Sequence, residues 1–215
     1  GYSSAASDVY KRQTSCLAPL LSCAIFKINF YTRMSKDKIQ KTNVARLLDK
    51  ARIPYELLTY EVDENNLAAT HVAEMLGEDI KRVFKTLVLK GEYPGRNSAA
   101  SNAAGHFVCV VPGDAEVDLK KAARAAGAKK AELIPMKELL PLTGYIRGGC
   151  CPIGMKKPFP TFFHITATDF PEIFVSAGVR GMQLKIKPQD IISYVGAQLA
   201  DLIIADNPDA LEPAD

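Results

Sequence analysis

A lysine stands in the middle of an apolar segment: Lys85 in RVFKTLVLK, residues 82 to 90. The β-branched and apolar content predicts an inner strand. Alternation then puts Lys85 on one face with Val83, Leu87 and Leu89. A cation there is paired, reaches to the rim, or does chemistry, and its pKa falls with desolvation or rises beside an anion. Two glycine-rich turns, GGCCPIG (148 to 154) and SAGVRG (176 to 181), can present backbone N–H groups to an oxyanion or phosphate. Read singly, each is equally a plain connection between strands. Cys150 and Cys151 have the type of a nucleophile, but no histidine partner belongs to a recognisable signature, so buried thiols are expected. Lys156, Lys157 and Arg180 form a modest basic set, either a solvated surface or a contact for a phosphate backbone.

Metal chemistry finds no support. The five cysteines contain no C-x-x-C, and His71, His106 and His164 are scattered. Irregular cysteine spacing also argues against a disulfide framework and for a reducing compartment.

The elements that must position these residues follow from periodicity. Ile39, Val44, Leu47 and Leu48 predict an opening helix that ends before Pro54. YELLTYEV (55 to 62) reads as a strand, and residues 70 to 77 as a short helix capped by Thr70 and closed by Gly77. HFVCVVP (106 to 112) is the expected partner of the Lys85 strand, the two being joined by a long Gly/Ser/Ala/Asn-rich excursion over 91 to 105. Asp118 caps a helix that closes at Gly127, and a short helix runs from Met136 to Leu140. PTFFHI, EIFVSAG and MQLKIK are three further strands, and a last helix begins at Pro188. Several connections are too short for parallel crossovers, so the fold class is α+β, with a mixed, mostly antiparallel sheet flanked by helices.

The chain has 215 residues, 47% hydrophobic and 24% charged, which suits one packed domain with an appendage. The net charge of +3 lies wholly before Met34, so the remainder is charge-balanced and no broad nonspecific nucleic-acid binding is expected of it. Residues 1 to 33 are expected to be a disordered leader, either an upstream-translated scar or a transit segment, with the domain over 34 to 205 and a tail over 206 to 215. The leader's apolar stretch is too short to span a membrane.

Taken together, TYE (59 to 61), FKTLVL (84 to 89), DLKKAARAAGAKKAEL, TGYIRGGCCPIG and FVSAGVRGMQL resemble, in order and spacing, the YbaK/EbsC-type aminoacyl-tRNA deacylases, nearest the bacterial-type Cys-tRNA(Pro) deacylase branch. The resemblance spans roughly residues 40 to 205, the size of one domain. It implies a cleft for the aminoacylated 3′ end of tRNA(Pro) and hydrolysis of mischarged Cys-tRNA(Pro). The attacking group would be the substrate's own thiol, releasing a cysteine thiolactone. Its catalytic residues fall on Lys85, Thr86, Tyr60 and Ser176, and its substrate-binding residues on Gly148, Gly149, Gly154, Gly178, Arg180 and Gly181. No cofactor or metal is implied. The implied partners are the tRNA end and, transiently, prolyl-tRNA synthetase, with no membrane and no DNA. The implied location is the cytoplasm, or an organelle if the leader is a transit segment.

The pattern is broken at Ala177, where a glycine is common, at Gln183, where an aspartate is common, and at Cys150-Cys151, where an aliphatic-Ser pair is usual. Two other readings stay open: an Ala-tRNA(Pro) deacylase, and a noncatalytic module that binds tRNA or the synthetase.

Overall fold

The computed structural model describes residues 41 to 93 and 105 to 204. The expectations for the leader, for most of the 91 to 105 excursion and for the tail lie outside those residues. The helix α1 (Asn43–Ala51) starts at Thr42, whose hydroxyl accepts from the Ala45 N–H, and buries Val44, Ala45 and Leu48. β1 covers only Glu56–Thr59. The longer strand predicted there ends at Thr59, and the Tyr60 N–H still donates to the Gly181 carbonyl at 2.9 Å. α2 (Ala69–Leu76) is preceded by Ala68, which gives no side-chain cap, so the predicted Thr70 cap is corrected. Its closure at Gly77 is as expected, in the left-handed conformation.

A single 3₁₀ turn (Ile80–Arg82) leads into β2 (Phe84–Glu92), which pairs antiparallel with β3 (His106–Pro112) from Phe84↔Pro112 to Lys90↔His106. Asp118 caps α3 (Leu119–Ala125) by accepting from the Lys120 and Lys121 N–H groups, worth about 1 kcal/mol. β4 (Lys130–Leu133) then pairs with the other edge of β2. α4 spans Met136–Thr143 and runs past the predicted end at Leu140, carrying Pro141 within it. β5 (Thr161–His164), β6 (Ile173–Ser176), β7 (Met182–Ile186), α5 (Pro188–Val195) and β8 (Gln198–Ala200) complete the chain order.

Two sheets result, ordered β1-β7-β6 and β4-β2-β3-β5-β8. Four of the six pairings are antiparallel, and β3-β5 and β5-β8 are parallel, which fits the expected mixed, mostly antiparallel α+β architecture. One parallel bridge, Val83↔Phe174, joins the sheets. Alternation divides the core. Phe84, Val88, Val108, Val110, Val175, Leu184 and Ile186 pack on one side with Val44 and Leu48 of α1 and Ile191 of α5. On the other side, Leu89, Phe107, Cys109 and Val111 pack beneath Ala122 and Ala123 of α3, while Val83 and Phe174 pack beneath Ala73 of α2.

Candidate active site

Lys85 falls between the two clusters of the second face. Its same-face neighbours along β2 are Val83, which belongs under α2, and Leu87, which packs with the α3 cluster. The lysine itself belongs to neither cluster and is half-buried. Its Nζ donates to the Gly113 carbonyl at 3.0 Å, leaving two of the three ammonium donors unused. Burial pulls its pKa below the usual 10.5, partly offset by the carboxylates of Asp114 and Glu116. Other cations on this face are differently satisfied. Lys185 lies 3.4 Å from Glu56 and 3.3 Å from Glu172, and Arg82 lies 2.9 Å from Glu78 and stacks over Phe174.

Two residues along each chain from the Val83↔Phe174 bridge bring Lys85 level with Ser176, on the same face. Ser176 pairs with Gln183, and Gln183 with Leu58, so one row crosses the boundary between the sheets: Leu58, Gln183, Ser176, Lys85. Tyr60 follows directly on β1, its backbone tied to Gly181 of the second glycine-rich turn. The Ser176 hydroxyl accepts from the Gly178 N–H at 3.4 Å. Gln183 is buried and its Oε1 has no hydrogen-bond partner.

Gly113 holds the gap open at one end. A side chain there would meet Ala69 at 2.6 Å and Ile80 at 2.9 Å, so only glycine lets the chain leaving β3 pass close enough under α2 to offer its carbonyl to Lys85. At the other end the two glycine-rich turns meet. Arg180 Nε donates to the Arg147 carbonyl at 2.9 Å, its Nη1 lies 3.8 Å from Glu64, and Gly148 and Gly149 lie beside Arg180 and Val179. Gly181 sits beside Val62 and the Tyr60 carbonyl. Gly178 has φ +91°, and a side chain there would run into Val44 at 2.8 Å and Tyr145 at 3.0 Å.

The structure therefore brings Lys85 and Ser176 onto one face, with the Tyr60 backbone, Gly148, Gly149, Arg180 and Gly181 in the adjoining segments. Thr86 points the opposite way by alternation, among Phe84, Val88, Val108 and Val110, with its hydroxyl buried and unpartnered. Gly154 lies beside Leu47 and Asn43 of α1 and the Tyr145 hydroxyl. Cys150 and Cys151 are buried in the same cluster as Val44, and burial pushes the Cys150 thiol up to about 12 and that of Cys151 higher still. Burial thus biases both thiols towards the protonated, less nucleophilic form. Gly113, Asp114 and Glu116 escaped sequence reasoning. The only available signal was the turn PGDAE directly after a buried strand. Among the described residues no group of His, Cys, Asp or Glu side chains is placed to hold a metal ion, and no helix is long and apolar enough to cross a membrane.

A family profile described as an aminoacyl-tRNA editing domain matches residues 63 to 194. The chain belongs to the aminoacyl-tRNA editing domain family. The editing domain is 45% identical over 170 residues to EbsC of Enterococcus faecalis, named as a candidate Cys-tRNA(Pro)/Cys-tRNA(Cys) deacylase, covering 79% of this chain and 98% of that protein. It is 25% identical over 134 residues to the uncharacterized protein YwhH of Bacillus subtilis, covering 62% of this chain and 78% of that one. Among solved structures, one described as a candidate trans-editing enzyme for prolyl tRNA synthetase superposes with a TM-score of 0.61 at 24% identity, covering 76% of this chain and 98% of that one. Another, the hypothetical protein APE2540, gives a TM-score of 0.64 at 20% identity, over 75% and 99%. These neighbours establish the fold, and family and deacylase relative together support hydrolase activity for the editing domain.

Proposed function

We propose that the protein is a trans-editing hydrolase that deacylates mischarged Cys-tRNA(Pro), and that the substrate's own thiol is the nucleophile. The observation that carries this reading is Lys85: a desolvated ammonium with one backbone acceptor and two free donors, level with Ser176 across the boundary between the sheets. In such a place a fixed positive charge acts on a developing oxyanion far more strongly than in water. The 45% identity to a candidate Cys-tRNA deacylase supports the substrate class.

The terminal adenosine and the acyl group enter the gap between α2 and α3. Tyr60 and Ser176 orient them, and the turns around Gly148, Gly149, Gly178 and Gly181 offer N–H donors to the ribose and phosphate. Arg180, with Lys156 and Lys157 from the segment that follows the first glycine-rich turn, meets the phosphates of the preceding nucleotides. The cysteine sulfur attacks its own ester carbonyl. The oxyanion collapses, the bond to the ribose oxygen breaks, and the thiol proton passes to that oxygen. The products are tRNA with a free hydroxyl and a cysteine thiolactone, which water opens. Holding sulfur and carbonyl together supplies most of the acceleration, so no protein nucleophile is required. Buried, protonated Cys150 and Cys151 accord with that division of labour. Thr86 is read as a packing residue behind Lys85, and Gly154 as a turn residue packed on α1.

One small cleft reads the acyl group and the last nucleotide but little of the tRNA body, so a transient complex with prolyl-tRNA synthetase supplies the choice of tRNA. The cytoplasm is the expected location. The test is single-turnover deacylation of Cys-tRNA(Pro), Ala-tRNA(Pro) and Ser-tRNA(Pro), with trapping of the thiolactone. Loss of cysteine alone, with thiolactone formed, is expected. Equal loss of alanine overturns the thiol mechanism, and no loss from any of the three favours a noncatalytic binder.

A further inference from the structure

His164 is buried at 3% exposure at the end of β5, on the α3 side of the sheet, where the register sets it level with Val111 and so two strands along from Lys85. Its Nδ1 accepts the Leu202 N–H at 3.1 Å, so that nitrogen carries no proton and the imidazole is neutral. Leu202 lies in a short strip that runs beside the chain entering α3. Its carbonyl accepts from the Asp118 N–H at 2.8 Å, Ile203 bridges to Val117, and the Ile204 N–H donates to the Glu116 carbonyl at 3.0 Å. Lys121 ties the same strip from α3, its Nζ lying 2.8 Å from both Asp201 Oδ2 and the Ile203 carbonyl. Residues 113 to 116, at the far end of that contact, are those that present the Gly113 carbonyl and the Asp114 and Glu116 carboxylates to Lys85.

We infer that neutral His164 is a positioning residue for Lys85: through Leu202 it latches the 201 to 204 strip onto residues 116 to 118, and protonating it releases the segment that orients the lysine. This rests on Lys85 being a working residue of the deacylase. A protonated Nδ1 becomes a donor facing another donor, the Leu202 N–H, so the bond is replaced by a repulsive contact in a buried place. Burial lowers the His164 pKa. The groups around it act in both directions: Asp201, 3.9 Å away, a hydrogen bond with the Ala200 backbone, and Asp169 favour the proton, while Lys121 opposes it. The latch therefore holds at neutral pH and opens under acid, below the ordinary histidine range.

The experiment compares wild type with His164→Asn, whose carbonyl oxygen can take the same N–H without titrating. Single-turnover deacylation is measured from about pH 8 to about pH 5. Substrate ionisation is common to both proteins and cancels in the ratio of their rates. Equal rates at the alkaline end and an advantage of about tenfold for His164→Asn at the acid end are expected. A ratio that stays flat across the range overturns the inference. Hydrogen exchange of the wild-type Leu202 amide is the second readout and needs no variant. Its protection factor should fall with acid in step with the rate ratio, and unchanged protection overturns the latch whatever the rates do. Lys85→Ala separates the two claims. If it keeps full rate, the reading of Lys85 fails while the exchange result still judges the latch; if it is inactive but the ratio is flat, the latch alone fails.

Discussion

Lys85 and Thr86 are adjacent in one strand and occupy opposite environments. Lys85 faces a gap between two helices, with a carbonyl at one donor and carboxylates within electrostatic reach. Thr86 faces a close-packed apolar cluster, its hydroxyl buried without a partner. The same division runs across the neighbouring strands. Ser176 and Gln183 share the face of Lys85, while Val175 and Leu184, beside them in sequence, share that of Thr86. The polar chemistry is thus confined to one side of a sheet whose other side is packed, and each side resists change differently: one through lost rate, the other through lost stability.

The largest expected effect tests the polar side. Lys85→Ala should lower single-turnover deacylation by about 10²–10³-fold, the scale of losing one oxyanion donor, with the unfolding midpoint little changed. A retained rate would remove the functional meaning of that face. On the packed side, Gly178→Ala should cost about 1–3 kcal/mol in chemical denaturation, because φ +91° is strained for any side chain and the new methyl meets Val44 and Tyr145. An unchanged denaturation midpoint would contradict the packing described there.

A pH profile sharpens the contrast. The folded-state pKa of Lys85 lies below its ordinary 10.5, so activity that needs the ammonium should fall as pH rises through that lowered value, before 10.5 is reached. Folding stability carries the opposite sign: the unfolded chain holds the proton more tightly, so stability rises with pH across that window. Asp114→Asn removes a carboxylate that favours the charged lysine and should move the alkaline limb further down, whereas a shift upward would show that Asp114 does not act on Lys85.

The smallest effects belong to Thr86→Val and Cys150→Ala. Exchanging an unpartnered buried hydroxyl for a methyl should leave stability equal or raised by about 1 kcal/mol, with the rate retained. Removing a thiol held near 12 should likewise leave the rate at neutral pH intact. If either variant loses activity as Lys85→Ala does, the division between the faces is wrong.

Much of this arrangement was legible in sequence because it rests on local pattern. The run around Lys85 announced an inner strand with a cation on an apolar face, and Asp118 and Pro188 marked helix starts that the structure keeps. β4 and β8 were not legible, since strands of four and three residues at sheet edges carry too few side chains for a period. The Thr70 cap failed because α2 begins at Ala69 with Ala68 as its cap, two residues earlier than the local signal implied. Of the site, the resemblance named Lys85, Ser176 and Tyr60, but the common face of Lys85 and Ser176 depends on the bridge at Val83, and the place of Tyr60 on its backbone bond to Gly181, which are contacts distant along the chain. Gly113 and His164 act through backbone atoms, and a sequence does not display which carbonyl or N–H a side chain will find.

The single bridge between Val83 and Phe174 makes the cleft a joint between two sheets, with Lys85 contributed by one and Ser176 by the other. A ligand that engages both spans that joint, and its own contacts add to those that hold the sheets together. By linkage, a ligand at a hundred times its Kd stabilises the folded state by about 2.7 kcal/mol. Substrate that touches both is then also a clamp, added to the core that the two sheets already share.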